Sequence, residues 1–245
     1  MPELSRTFGV NEVSPAERQR LIRGVFQRVA PRYNLMNDLM SFGIHRLWKR
    51  TLVWAANPLA SQTIVDLAGG TGDVARLLDG PRRTVIVCDP SLAMMEAGRG
   101  KAPEALMWLA GAGEGLPFAD NAVDTLTIAF GIRNVTFIDA ALREVLRVLR
   151  PGGRFLCLEF SRPWRPIRPL YDTYSRLVIP RLGALVARDP AAYSYLVESI
   201  RRFPDQEQMR AIMQQAGFVD VHYRNLTFGI ACIHMGTRPD NEPVP

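Results

Sequence analysis

The amino-acid sequence predicts an α/β protein built on one mostly parallel sheet, and three observations indicate this fold class. Short apolar runs typical of buried strands alternate with amphipathic stretches through the middle of the chain. A glycine cluster, Gly69-Gly70-Thr71-Gly72, joins the first of these runs directly to a helix. Near the end, a helix precedes two closely spaced apolar runs, which predict an antiparallel hairpin.

Length and composition favour a globular protein with a sizeable core. Of the 245 residues, 47% are hydrophobic and 22% are charged, so wholesale disorder is not expected. No apolar run approaches the ~20 residues that a membrane-spanning helix needs. Residues 1–11 lack the basic segment and apolar stretch of a secretory signal. We therefore expect a cytoplasmic protein.

The net charge of +6 comes almost entirely from arginine, because Lys49 and Lys101 are the only lysines. Two explanations stay open: an anionic partner, such as nucleic acid or an anionic membrane face, or a bias in composition. Cys88, Cys157 and Cys232 lie in or beside apolar, strand-like runs, which predicts buried core residues. Neither the cysteines nor the histidines have the spacing of metal ligands, so we expect no metal.

The first part of the chain is predicted to be helical. Ser14-Pro15-Ala16-Glu17 has the pattern of a capping box with proline at the first helical position. Residues 34–41 and 44–56 follow as two further helices, separated by Gly43. We expect residues 1–60 to form an N-terminal helical lid on the domain that follows.

Residues 61–238 carry the strand–helix repeats of the main domain. Its strands are predicted at residues 63–67, 84–88, 105–109, 123–130, 154–160, 219–223 and 228–235. Pro151-Gly152-Gly153 ends the helix that contains Ile138 and Leu142. A helical insertion is predicted at about 163–203, and residues 239–245 form a tail.

The glycine cluster predicts a binding loop for an anionic group. The strand ends at Asp66-Leu67, glycines turn the backbone, and free amides then face the ligand at a helix start. Asp89 ends the next strand, 17 residues beyond Gly72, where a carboxylate accepts ribose hydroxyls. A nicotinamide cofactor and S-adenosylmethionine both carry such a ribose, so both stay possible. A tight turn without a ligand is the third alternative. The chain lacks a Tyr-x-x-x-Lys pair for hydride chemistry, and the reversed last strand favours a methyltransferase.

Residues 33–49, YNLMNDLMSFGIHRLWK, closely resemble the amino-terminal signature of the ubiquinone/menaquinone biosynthesis C-methyltransferases. The resemblance continues at residues 66–73, 115–118, 130–135, 147–153, 158–161 and 193–204. It covers roughly residues 25–237. The glycine motif is common to many methyltransferases, whereas the amino-terminal signature and Arg133-Asn134 are far more restrictive.

This resemblance implies a class I S-adenosylmethionine-dependent methyltransferase fold, Rossmann-like, with seven strands and the last one antiparallel. It implies transfer of a methyl group to a ring carbon of a polyprenylated quinol, either demethylmenaquinol or 2-methoxy-6-polyprenyl-1,4-benzoquinol. Which quinol is used stays open, as does another phenolic or lipid substrate. A homodimer or a quinone-biosynthesis complex rests on the resemblance alone. The expected contacts to the cofactor S-adenosylmethionine are Asp66, Gly70, Thr71, Gly72, Asp89, Ala112, Gly113 and Ala129.

Two of these positions depart from the family pattern. The family usually has a polar residue where Ala112 lies, and often a serine where Ala129 lies. Each lost hydrogen bond is worth about 1 kcal/mol net. We therefore expect the cofactor to bind through backbone contacts at Gly113, and somewhat more weakly.

Arg133 and Asn134 are the predicted catalytic residues. They follow the fourth strand, at the carboxyl edge where open α/β sheets bind ligands. A ring carbon becomes nucleophilic when its hydroxyl ionises, so we hypothesise that Arg133 lowers the quinol's pKa. Arg133 would also orient a water that accepts the proton, and Asn134 would hold that water. A purely structural salt bridge is the alternative for Arg133.

The lid residues expected near the substrate are Tyr33, Met36, Asn37, His45 and Trp48. Simple packing is the alternative for each of them, and His45 is a second candidate base. Residues 162–169 mix arginine, proline and tryptophan, which suits a surface meeting lipid headgroups on the inner face of the cytoplasmic membrane. An ordinary solvated loop is the alternative there. Nucleic acid is not expected, because the basic residues are spread along the chain.

Overall fold

The computed structural model describes residues 4–8, 11–30, 33–182 and 190–240. The helices are α1 (Pro15–Val29), α2 (Tyr33–Ser41), α3 (Ile44–Ala56), α4 (Asp73–Leu78), α5 (Leu92–Arg99), α6 (Ile138–Val148), α7 (Arg168–Leu182), α8 (Pro190–Arg202) and α9 (Gln206–Gln215). The strands are β1 (Thr7–Phe8), β2 (Asn11–Glu12), β3 (Thr63–Leu67), β4 (Thr84–Asp89), β5 (Met107–Ala110), β6 (Val123–Ala129), β7 (Leu149–Phe160), β8 (Val219–Leu226) and β9 (Ala231–Thr237).

The main sheet has seven strands in the order β5-β4-β3-β6-β7-β9-β8. All neighbouring pairs from β5 to β7 are parallel, whereas β9 runs antiparallel to both β7 and β8. The sequence prediction of a mostly parallel sheet with its last strand reversed is confirmed. Chain order reverses at β3, which has β4 on one side and β6 on the other. A crevice for ligands is expected at the carboxyl ends of these strands.

The sheet is buried on both faces, which explains why its strands are almost continuously apolar. Val65 packs on one face with Leu142 of α6 and Met213 of α9. Ile64, the preceding residue, points to the other face and packs with Leu52 of α3. Since successive side chains alternate across a strand, one apolar run supplies both cores.

Some predicted boundaries need correction. The strand predicted to begin at residue 154 begins at Leu149 instead, because the amide of Gly152 donates to the carbonyl of Arg238 and the glycine segment continues the pairing. The strand predicted at 105–109 is Met107–Ala110, and the final two strands are each shifted or extended by a few residues. Of the predicted tail, residues 241–245 lie outside the described residues.

Helices α1, α2, α7 and α8 pack together beyond the carboxyl edge of the sheet, and we call them the helical cap. Val25 and Val29 of α1 form a small core with Met36 of α2 and Val197 of α8. Tyr174 of α7 packs against this core and donates a hydrogen bond to the carbonyl of Met40. The N-terminal segment and the insertion at 163–203 therefore cover the sheet edge jointly.

Many arginines donate hydrogen bonds to backbone carbonyls. Arg154 binds the carbonyls of Ala55 and Ala56 at the end of α3, and Arg83 binds that of Leu78 at the end of α4. Helix ends leave such carbonyls without helical partners, so a guanidinium stabilises them. Part of the positive charge thus serves the fold rather than an anionic partner.

Gly98 of α5 provides a test of how the glycine loop is supported. A Cβ at Gly98 would lie 2.2 Å from the carbonyl oxygen of Thr71, a backbone atom that cannot move freely. Gly98→Ala should lower the free energy of unfolding by about 1–3 kcal/mol. Gly100→Ala is the control, since nothing lies within 4 Å of its Cβ position. Equal melting temperatures for the two variants would contradict this contact.

Candidate active site

A first cavity of about 280 Å³ opens at the carboxyl ends of β3, β4 and β6. The structure brings together seven of the eight predicted cofactor residues in its lining: Asp66, Gly70, Thr71, Asp89, Ala112, Gly113 and Ala129. The eighth, Gly72, is the N-cap of α4 and faces the ring of Trp108 instead of the cavity.

The glycine loop follows β3 through repeated left-handed backbone. Ala68, Gly70 and Gly72 have φ angles of 50°, 53° and 74°, a conformation that disfavours most side chains. Asp66 lies beneath the loop, where its carboxylate accepts from the amide of Ala75 at 3.2 Å. Burial raises the pKa of Asp66 to about 7. Asp66 therefore shapes the loop from below.

Asp89 is held in one orientation at the end of β4. Its Oδ2 accepts from the amide of Gly70 at 2.9 Å, and its Oδ1 accepts from the amide of Ser91 at 2.7 Å. Burial raises the pKa of this carboxyl group above its ordinary value. Each oxygen keeps a further lone pair, so Asp89 offers a fixed acceptor to two neighbouring hydroxyl groups.

An ion pair joins α3 to the loop side of the first cavity. Lys49 Nζ lies 2.9 Å from Asp73 Oδ2, and both side chains line the cavity. Neither residue was predicted from the sequence. Their only signal was that Asp73 directly follows the glycine cluster and Lys49 lies within the amino-terminal signature.

A second cavity of about 530 Å³ lies between the sheet edge and the helical cap. It adjoins the first, because Phe26, Phe130 and Asn134 line both. The structure brings six predicted residues into its lining: Met36, Asn37, His45, Trp48, Arg133 and Asn134. The side chain of Tyr33, also predicted, lies outside the described part of the chain.

Aromatic rings form one wall of the second cavity. Phe130 packs against Phe160 with ring centroids 4.8 Å apart, and Trp48 lies 6.1 Å from each of them. The indole of Trp48 donates to Thr227 Oγ1 at 2.8 Å, so its polar group is satisfied. Such a wall suits a flat, largely apolar ring.

Arg133 and Glu159 form a buried ion pair in this cavity. Arg133 Nη1 lies 2.6 Å from Glu159 Oε1, with side chains only 6% and 1% exposed. The same Nη1 donates to the carbonyl of Phe130 at 2.7 Å. The Nε of Arg133 is also buried and has no hydrogen-bond partner among the described residues. The pair with Glu159 therefore leaves the donor hydrogen of Nε unused.

Glu159 was missed in the sequence, although an acid inside the apolar run of β7 was a usable signal. Burial is the main influence on its carboxyl group and raises the pKa, while Arg133 opposes that rise. The salt bridge considered as an alternative for Arg133 therefore exists. This salt bridge uses Nη1 and leaves Nε without a partner among the described residues, so the catalytic hypothesis stays open.

Asn134 is oriented by a tyrosine of the cap. Tyr195 Oη donates to Asn134 Oδ1 at 3.0 Å, which leaves the amide NH₂ group for another partner. Burial raises the pKa of Tyr195 above its ordinary value, so this hydroxyl keeps its proton at neutral pH.

His45 is a neutral residue here. Burial, followed by the charge of Lys49, lowers its pKa to about 4. Its Nδ1 lies 2.8 Å from Ser41 Oγ, which itself donates to the carbonyl of Asn37. A base of this strength holds a proton poorly at neutral pH, so the geometry favours a structural role.

Comparison with known proteins identifies the family. The profile of the ubiE/COQ5 methyltransferase family matches residues 13–238, which is most of the chain.

The chain belongs to the ubiE/COQ5 methyltransferase family.

Curated relatives agree with this membership. The chain is 60% identical over 235 residues to the ubiquinone/menaquinone biosynthesis C-methyltransferase UbiE of Rubrivivax gelatinosus, covering 96% of this chain and 94% of that protein. It is 46% identical to the mitochondrial 2-methoxy-6-polyprenyl-1,4-benzoquinol methylase of Gallus gallus, covering 94% of this chain and 88% of that one.

Solved structures support the fold. A SAM-dependent methyltransferase of Thermotoga maritima superposes with a TM-score of 0.66 at 20% identity, covering 89% of this chain and 99% of that one. A phosphoethanolamine N-methyltransferase of Haemonchus contortus, in complex with S-adenosylhomocysteine, gives 0.59 at 13% identity over 78% of this chain and 52% of that one. The chain is therefore a methyltransferase by family, and its fold is that of S-adenosylmethionine-dependent methyltransferases.

The first cavity fits that methyl donor. Asp89 presents a fixed acceptor to a pair of hydroxyls, and the left-handed turn at Gly70 brings the backbone of the glycine loop to the cavity. Ala112 and Ala129 add no hydrogen-bonding side chain to the lining. Hydrogen bonds to a ligand at these two positions must therefore come from the backbone.

Asp89→Asn tests the acceptor at the ribose position. An amide presents one acceptor oxygen and an NH₂ that opposes the amides of Gly70 and Ser91, so we expect the Kd for S-adenosylhomocysteine to rise at least tenfold, about 1.4 kcal/mol. Isothermal titration calorimetry measures it. Glu96→Gln, exposed on α5, removes the same charge and should leave the Kd unchanged. An unchanged Kd in Asp89→Asn would rule out this contact.

His45→Gln tests the buried neutral imidazole through pH. Because folding lowers the pKa of His45 from 6.5 to about 4, its stabilising contribution is complete above pH 6.5 and is lost as the pH falls toward 4. The melting temperature of His45→Gln should therefore lie below wild type at pH 8, with a smaller gap at pH 5. His222→Gln, exposed on β8, is the control. A gap that widens at pH 5 would contradict the burial of a neutral imidazole.

Proposed function

We propose that this chain moves the methyl group of S-adenosylmethionine to a ring carbon of a polyprenylated quinol. The observation that carries the proposal is the position of Arg133 and Asn134, in an apolar cavity that adjoins the first one. The names of the relatives from Rubrivivax gelatinosus and Gallus gallus support the same substrate class.

Residues of the first cavity would hold the donor. Asp89 would accept the ribose hydroxyls, the turn at Gly70-Thr71 would approach the amino-acid part, and Ala112-Gly113 would lie against the adenine. When bound, the donor supplies an electrophilic methyl group on a sulfonium. The protein's contribution is to aim that methyl toward the second cavity and to exclude water, since alignment supplies much of the rate.

Arg133 would activate the ring. A phenolic carbon attacks a methyl group far better when its hydroxyl is ionised, and a positive guanidinium favours the phenolate. The pairing with Glu159 fixes the guanidinium in the cavity, and the unpartnered Nε faces no competing acceptor among the described residues. A guanidinium does not give up its own proton at neutral pH, so Arg133 stabilises charge rather than acting as the base.

The proton acceptor in this proposal is a water held beside Arg133. The Nε of Arg133 and the amide NH₂ of Asn134 are the two donors that would orient it, with Tyr195 fixing the amide. His45 is a poorer candidate, because its pKa of about 4 makes it a weak base.

The polyprenyl tail would leave the second cavity between apolar residues at its rim. Phe42, Leu170 and Phe228 line the cavity and are 79%, 75% and 58% exposed. Trp164 packs on Phe228, and the exposed arginines of residues 162–169 are close in sequence to Trp164 and Leu170. None of the helices in the described ranges is both long and apolar enough to cross a bilayer. A peripheral contact with an anionic membrane would let the substrate enter directly.

Methyl transfer itself is the first test of the proposed function. Wild-type protein incubated with methyl-labelled S-adenosylmethionine should label the ring of demethylmenaquinol, of 2-methoxy-6-polyprenyl-1,4-benzoquinol, or of both. Arg133→Lys keeps the charge but loses the planar fork, and we expect kcat to fall about 100-fold. Arg143→Lys, exposed on α6, is the control. Full activity in Arg133→Lys would refute the role of the guanidinium, and labelling of neither quinol would refute the substrate.

Vesicle binding tests the membrane contact. The double variant Phe42→Ser and Leu170→Ser should lower binding to vesicles containing anionic phospholipid about tenfold, through lost apolar burial. Replacing Arg165 and Arg168 by glutamine should weaken binding mainly at low salt. Leu92→Ser, equally apolar and 60% exposed on α5, is the control. Vesicle binding that both rim variants leave unchanged would contradict this surface.

A further inference from the structure

Arg18 of α1 is a fully buried arginine that lines neither of the two cavities. Only 1% of its surface is exposed, although most arginines are at the surface of a protein. Among the described residues, no carboxylate lies within ion-pair distance of its guanidinium. Its charge is instead directed at backbone carbonyls.

The guanidinium of Arg18 binds the turn that carries the two candidate catalytic residues. Its Nη2 donates to the carbonyl of Arg133 at 3.0 Å, and its Nη1 donates to the carbonyls of Asn134 and Val135 at 3.1 and 3.2 Å. These carbonyls lie at the end of the short helix Ile132–Asn134, where the backbone has few partners of its own. The planar fork satisfies three of them at once.

The same guanidinium also holds the first strand of the chain. Arg18 Nε donates to the carbonyl of Thr7 at 3.1 Å. The next residue, Phe8, stacks on Tyr195 with ring centroids 4.4 Å apart, and Tyr195 binds the side chain of Asn134. Both the backbone and the side chain of Asn134 therefore depend on contacts from the cap.

Helix α1 also roofs both cavities. Ile22 and Arg23 line the first cavity, Val25 and Val29 line the second, and Phe26 lines both. The helix that covers the ligands is thus tied to the catalytic turn by one buried side chain.

We propose that Arg18 is a positioning residue, whose guanidinium fork aligns the turn Arg133-Asn134-Val135 beside the two cavities that α1 covers. The inference rests on the proposed function, because it assigns Arg18 to the same reaction. Arg18 lines neither cavity, so it would act through the backbone of Arg133 and Asn134. Loss of the fork should therefore lower kcat rather than binding, because misplacement by about 1 Å costs about 100-fold in rate.

Arg18→Met and Arg18→Lys test this role against Arg20→Met, whose parent side chain is 77% exposed on the same helix. In Arg18→Met we expect kcat for the quinol to fall about 30- to 100-fold, with KM and the Kd for S-adenosylhomocysteine within about threefold of wild type. Arg18→Lys keeps the charge but loses the fork, so its kcat should lie between that of Arg18→Met and that of wild type. Arg20→Met should match wild type.

Hydrogen exchange of the turn gives a readout that needs no activity. The amides of Asn134 and Val135 donate to the carbonyls of Gly131 and Ile132, and they should exchange faster in both Arg18 variants but not in Arg20→Met. Wild-type kcat together with unchanged exchange would overturn the proposal. A rise in KM with kcat unchanged would also overturn it. If Arg18→Met does not fold, Arg18→Lys decides by the same criteria. If wild type methylates no quinol, the proposed function fails, and exchange still decides whether Arg18 holds the turn.

Discussion

The buried ion pair between Arg133 and Glu159 constrains the arrangement of the whole site. Its atoms lie 2.6 Å apart at the carboxyl edge of β6 and β7, where both charges are removed from water. A buried pair adds little net stability compared with apolar residues, although breaking it costs about 3–5 kcal/mol. In the proposed reaction the value of the pair is chemical, because Glu159 would hold a cation in the apolar cavity where a ring hydroxyl would ionise.

The helical cap shields the guanidinium of Arg133 from water. Without the cap, Arg133 would lie at an open sheet edge, and water would screen its field. The cap encloses the second cavity. From the cap, Tyr195 donates a hydrogen bond to the side chain of Asn134, and Arg18 donates one to the backbone carbonyl of Arg133. Lys49 ties α3 to Asp73 beside the first cavity. The helical cap thus covers both the first and the second cavity.

The fold was largely predictable because apolar runs and glycine turns are local signals. The seven strands, the reversed last strand and the cavity around Gly70 and Asp89 all followed from such patterns. Strand starts such as Leu149 were not predictable, because they depend on pairing with residues far along the chain. The partners of Arg133 were missed for the same reason: Glu159 and Arg18 lie 26 and 115 residues away in sequence.

The ionisation of a bound ring hydroxyl shows whether Arg133 activates the quinol. A naphthol analogue of the quinol whose absorbance reports ionisation would be titrated with pH, free and bound to the protein with S-adenosylhomocysteine. We expect the pKa of the bound hydroxyl to fall by at least about one unit, or 1.4 kcal/mol, and Arg133→Met to abolish the fall. A bound pKa equal to or above the free value in wild type would contradict this expectation.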